Sequence, residues 1–162
     1  SENDYSLGLV ATYGNFTFAT FGDLDGEYAT SEFGYEYNNV EASVIKRLGG
    51  ADVYNVNHHG SSHSSNAAFL KALLPSVSII SCGKNNTYGH PAQPVLDRLQ
   101  AINSTVLLTE DGNPKAEYGR ALVTNHDIVI TVSADTRTYT VESGYFYAKF
   151  VSKGAKQPRC EV

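Results

Sequence analysis

Three of the chain's five histidines, His58, His59 and His63, fall within the stretch VYNVNHHGSSHSSN, residues 53–66. Upstream, Asp23 sits in GDLDG directly after an apolar run. Downstream, SCGKNNTYGHP gathers Lys84, Asn85, Asn86, Tyr88 and His90. Asp23 offers a hard oxygen and His58 an imidazole, a pair that zinc accepts and manganese tolerates. Two metal ions about 3.5–4 Å apart, bridged by such a carboxylate, would activate water against a phosphodiester. Two neighbouring histidines on extended backbone point to opposite faces, so only one of His58 and His59 reaches a given metal and the other either supports the ligands from behind or contacts substrate. Ser61, Ser62 and Ser64 can donate to a phosphate beside a helix start, and Lys84, Asn86 and His90 suit an oxyanion. Each of these residues also has a plainer use. Asp23 can form a turn, His58 can bond to backbone, His63 can open a helix, the serines can cap it, and His90 can simply precede Pro91.

The elements that must position these groups follow from periodicity. LGLVA (7–11) and FTFATF (16–21) are β-rich runs joined at YGN, which predicts a hairpin. Residues 27–39 lack a period and predict a loop. Val40, Val44, Ile45 and Leu48 recur at helical spacing before Gly49-Gly50. A strand is expected over 52–57, and a helix capped by Ser65 or Asn66 and closed by Pro75. VSIISC (77–82) is apolar enough to be a strand buried on both faces. A helix over 92–102, a strand over 105–109 and antiparallel strands in DIVITVS and RTYTVESGYFYAKF complete the chain. This order predicts an α/β (α+β) domain with a mixed sheet, helices on one face and right-handed crossovers. Asp23, His58 and the GKNNTYGH loop then share the carboxyl edge of the strands, where α/β sheets bind ligands.

A length of 162 residues fits one domain, with 151–162 as a tail, and 41% hydrophobic residues suffice for a core. No apolar run approaches the roughly 18 residues that cross a bilayer, and the polar start SENDYS predicts that any leader has been removed or was never included. A net charge of -5 argues against a broad basic face for nucleic acid. Two cysteines, Cys82 and Cys160, define no disulfide framework but could pair. Asn15, Asn85 and Asn103 each head an N-x-S/T sequon, which with the low charge predicts a secreted, glycosylated protein.

FATFGDLDG, the long stretch from ADVYNVNHHGSS to GHPAQPVLDRL, and VLLTEDG together resemble the metallo-β-lactamase fold, over about residues 7–132. They are most similar to the hydrolase domain of ComEC-type competence proteins. The resemblance implies metal-dependent hydrolysis by a nuclease or phosphodiesterase. It places Asp23 at the bridging metal ligand and His58 at the last histidine ligand. His59, Ser61, Asn86 and His90 fall at the substrate side. The family's His-x-His-x-Asp-His motif has no counterpart here, since no histidine precedes His58. The chain thus matches the C-terminal half of an αβ/βα sandwich.

Two readings follow. One is part of a secreted metal-dependent hydrolase, completed by an N-terminal half or by self-association and acting on nucleic acid or another phosphodiester. The other is a non-catalytic extracellular assembly protein built on a half fold. In both, alternate residues of 7–11 and 16–21 are expected to meet a partner, because a half fold leaves a sheet face uncovered.

Overall fold

The computed structural model describes residues 2–30, 34 and 36–154. Its centre is a six-stranded sheet in the order β1 (Leu9–Tyr13), β2 (Phe16–Thr20), β5 (Val53–Asn55), β6 (Val77–Ile80), β7 (Thr105–Leu108) and β8 (Leu122–Val123). β1 runs antiparallel to β2 through the Gly14-Asn15 turn, and all later neighbours are parallel. The sheet is mixed, as the sequence predicts. A short pair, β3 (Ala29–Thr30) and β4 (Glu36–Tyr37), interrupts the stretch expected to be loop.

Alternation along the parallel strands splits the core in two. Tyr54, Ile80, Val106 and Leu108 face α2 (Ala67–Leu73) and α3 (Gln93–Ala101), meeting Phe69, Leu70, Val95 and Leu99, while α1 (Glu41–Val44) adds Val44 at the edge. Val53, Val77 and Leu107 face the other way, with Phe16. A second, antiparallel sheet covers that side in the order β11 (Phe146–Val151), β10 (Thr138–Ser143), β9 (Val129–Val132). Tyr139 lies at its centre, edge-on to Phe16 and stacked on Phe150.

The face expected to await a partner is therefore filled by the chain's own C-terminal strands wherever β2 contributes to it. Edge strand β1 remains open, with all five residues exposed. No helix among the described residues is long and apolar enough to cross a membrane. The expected tail lies mostly outside the described residues, as does Cys160 and with it the Cys82–Cys160 pairing.

Candidate functional site

The carboxyl ends of four parallel neighbours, β2, β5, β6 and β7, lie along one edge, and the chemistry-bearing residues follow them. Asp23 comes three residues after β2, His58 and His59 close behind β5, and the loop holding Lys84 and His90 after β6. The predicted strand-end convergence is present.

The histidine turn is not extended. His58, His59 and Gly60 have φ of 49°, 53° and 81°, three left-handed residues in succession. Side chains pay roughly 1–2 kcal/mol for each such conformation, so the surroundings must enforce it. His58 N donates to the Gly22 carbonyl at 3.0 Å and Ala92 N donates to the Gly60 carbonyl at 2.8 Å, which ties the turn to the loops on both sides. The two imidazoles consequently do not point to opposite faces of a strand. Each addresses its own acid. His58 Nδ1 donates to the fully buried Asp25 at 3.1 Å, whereas His59 Nδ1 donates to the Ser81 carbonyl at 2.7 Å and turns Nε2 to 3.6 Å from Asp23 Oδ1. The geometry thus sets Asp23 directly against His59.

Behind the turn, the buried Glu41 carboxylate is the organising acceptor. It receives Asn57 Nδ2 at 2.8 Å, Ser65 N at 2.6 Å and Asn66 N at 2.8 Å. Burial pushes its carboxyl above the ordinary carboxylate range, with the three donors pulling the other way. The anion expected beside the start of α2 is therefore the protein's own side chain. Asn66 caps that helix by accepting from Phe69 N at 2.8 Å. Ser64 donates to the Asn57 and Ser61 carbonyls, and Ser61 is buried with its hydroxyl turned to His63 N. These serines hold the turn; they do not line an open phosphate site. His63 bonds Glu27 at 2.7 Å and stacks on Tyr37.

On the opposite wall, Asn86 spends its amide on its own loop. Its Oδ1 accepts from Tyr88 N and His90 N, both at 3.1 Å, and its Nδ2 donates to the His90 carbonyl. Asn86 fixes the loop that presents its neighbours. His90 packs edge-on to His58, with ring centroids 5.4 Å apart. Burial, followed by the neighbouring His58 and His59, lowers its pKa to about 4, so it stands neutral near pH 7. Lys84 is exposed, its backbone N–H held by Glu110 at 2.7 Å. Cys82 donates to the Glu110 carbonyl on the same loop pair. Asn15, Asn85 and Asn103 are all exposed.

Sequence reasoning missed Asp25 and Glu41. Asp25 stands two residues beyond Asp23 in GDLDG and was legible as a second acid. Glu41 carried no local signal, because its partners lie 16 to 25 residues away.

A zinc ion needs three or four converging donors. Among the described residues no three His, Cys, Asp or Glu side chains converge in that way. Asp23 with His59 makes one facing pair, and His58 is held through Nδ1 by Asp25. The described residues alone do not fit a closed metal centre.

No family model matches the chain. Curated relatives do. It is 38% identical over 118 residues to ComE operon protein 3 of Bacillus subtilis, covering 73% of this chain and 14% of that protein. It is 30% identical over 109 residues to competence protein ComA of Neisseria gonorrhoeae, covering 67% of this chain and 14% of that protein. Recombination protein 2 of Haemophilus influenzae is 39% identical over 106 residues, covering 65% of this chain and 12% of that protein. The chain's homologues are competence proteins of the ComEC type, and it spans only about 14% of the length of the first two.

Proposed function

We propose that this chain, homologous to a segment of competence proteins, forms the substrate-facing part of a phosphodiester-cleaving site that works on DNA, within a metallo-β-lactamase-type hydrolase. The observation that carries this reading is the strained His58-His59 turn at the strand ends, each imidazole oriented through a different partner. Two consecutive left-handed histidines are costly, and backbone strain of this kind collects at functional sites. Competence and recombination stand in the names of two of the relatives, and a DNA substrate is part of this reading.

In this arrangement the Ser81 carbonyl and Asp25 each hold one ring nitrogen as a donor. The opposite nitrogens, Nε2 of His59 and of His58, are left as acceptors. Asp23 adds a carboxylate beside His59. Such an acceptor-rich face repels a bare phosphate and accepts a cation, or a group carrying one. A divalent ion would supply charge for the phosphodiester, with further donors contributed from outside the described residues, by another segment or by a second copy. An extracellular location belongs to the same reading, and the exposed sequon asparagines support it.

The test is hydrolysis of labelled DNA and of a chromogenic phosphodiester by the protein, with manganese or zinc and after chelation. Metal-dependent cleavage that collapses in Asp23→Asn and His59→Ala is expected. Cleavage indifferent to both substitutions would overturn the assignment.

A second reading, a non-catalytic extracellular assembly protein, is favoured by one observation. The sheet face expected to be uncovered is packed by the chain's own β9–β11, so this unit is closed on that side without a catalytic partner. Absence of any metal-dependent cleavage, with edge strand β1 mediating self-association, would select it.

A further inference from the structure

We infer that β1 is the seam of a symmetric dimer, in which two copies of this chain pair their edge strands antiparallel about Val10 and join their six-stranded sheets into one. The seam uses none of the residues of the histidine turn, so it stands apart from the phosphodiester reading.

An edge strand leaves N–H and C=O groups that a further strand can take. The hairpin decides which ones. Gly14, with φ of 56°, opens a two-residue turn that closes on the Tyr13–Phe16 pair. Hydrogen-bonded pairs then recur at Ala11–Phe18 and Leu9–Thr20, which turns the N–H and C=O of Val10 and Thr12 outward. Proteins that keep such an edge single block it with charge, proline, a bulge or brevity. β1 has none of these. Its pairing with β2 is unbroken over five residues, and no charged residue or proline lies between Asp4 and Asp23. The other edges of the two larger sheets are protected: β8 is two residues long, β11 carries Lys149, and β9 is flanked by Asp127 and Asp135.

The edge fits a second copy of itself. At a net charge of -5 two copies repel on approach, and this uncharged stretch lets them meet without like charges in contact. Its spacing is self-complementary as well. A two-fold axis through Val10 sets Leu7 against Tyr13 of the second copy and Leu9 against Ala11, with Val10 opposite itself. Leu7, Leu9, Val10 and Tyr13 are all exposed in the single chain, and this register gives each of them an apolar cross-strand neighbour. An axis through Ala11 would instead set Leu7 against Asn15. Seven residues make a small interface, so the dimer should be concentration-dependent, in the micromolar range.

The test is analytical ultracentrifugation of the whole chain at low ionic strength. The wild type should move from monomer towards twice that mass as its concentration rises through the micromolar range. Val10→Lys and Val10→Glu each set like charges face to face across the axis and should weaken the dimer at least about tenfold. An equal mixture of the two variants should recover it as a heterodimer, which requires both variants to be folded. A wild type that stays monomeric throughout, a dimer that both substitutions leave unchanged, or a mixture no heavier than the separate variants overturns the inference. None of these arms reads cleavage, so each outcome leaves the phosphodiester reading as it was.

Discussion

The His59 imidazole turns Nε2 to 3.6 Å from Asp23 Oδ1 while its Nδ1 donates to the Ser81 carbonyl at 2.7 Å. A neutral ring in that orientation sets two acceptors face to face, and what they jointly hold must be positive or a donor. Replacing Asp23 by asparagine supplies the donor internally, since the amide can bond Nε2. Asp23→Asn is expected to lower phosphodiester cleavage by at least about 100-fold, as removal of a site carboxylate does, while the melting temperature stays level or rises. Steady-state kinetics beside a thermal melt checks both halves, and a variant that loses stability with its activity would mean that the pair is structural.

Gly60 closes the same turn with φ of 81°, and a Cβ built there would lie 2.9 Å from Pro91 Cβ and 3.2 Å from Pro91 Cα. Backbone cannot yield as a flexible side chain does. Gly60→Ala should therefore lose roughly 2–4 kcal/mol, combining left-handed strain with overpacking. Urea unfolding measures it, and a loss below about 1 kcal/mol would show that the Pro91 loop moves freely away from the turn.

Glu41 offers three acceptor contacts to buried donors, two of them backbone N–H groups. Glutamine keeps the shape but brings an NH2 group against an N–H. Glu41→Gln is expected to lose about 1–3 kcal/mol, the penalty for a buried donor left unmatched, visible as a lower denaturant midpoint. Unchanged stability would indicate that the turn is held from the His90 side instead.

His90 gives the pH dependence its direction. Its pKa falls from 6.5 to about 4 because it is buried beside His58 and His59, with His63 adding to the effect and Asp23 opposing it. The unfolded chain then takes up this proton first as pH falls, so stability declines between about 6.5 and about 4 and levels off below. In His90→Asn that contribution is absent, and its stability should fall less steeply through the same window. Parallel slopes in denaturant titrations across that range would refute the assignment.

How much of this was legible in the sequence depends on range. Parallel strands, α2 with its Asn66 cap and α3 followed from periodicity and local cap chemistry, because these signals act over a few residues. Strand-end placement of Asp23, His58 and His90 followed from topology. The left-handed turn did not: nothing in NHHG departs from an extended strand end until the Gly22 and Ala92 backbone bonds close over it. The two-residue strand β8 was invisible inside a polar loop. The second sheet was foreseen as strands, but not where it packs. Its apolar residues, Tyr139 and Val141 among them, specify burial without naming the surface that buries them.

That packing supports the last prediction. Tyr139 is buried between Phe16, edge-on at 5.0 Å, and Phe150, stacked at 5.2 Å, and its hydroxyl donates to the Asp52 carbonyl at 3.2 Å. Ser76 N and Val77 N also donate to that carbonyl, so Tyr139→Phe leaves no acceptor orphaned and should cost under about 1.5 kcal/mol. Tyr139→Ala removes the ring that joins the two sheets and should cost about 3–5 kcal/mol, as loss of a core aromatic does. It should also uncover the face formed by Phe16, Val53, Val77 and Leu107, with binding of a hydrophobic dye and self-association in light scattering. If β9–β11 are the native cover of that face, Tyr139→Phe stays monodisperse relative to wild type while Tyr139→Ala does not. Equal dye binding by the wild type and Tyr139→Ala would mean that the C-terminal sheet already stands away from the strands, and that the face is kept for a partner after all.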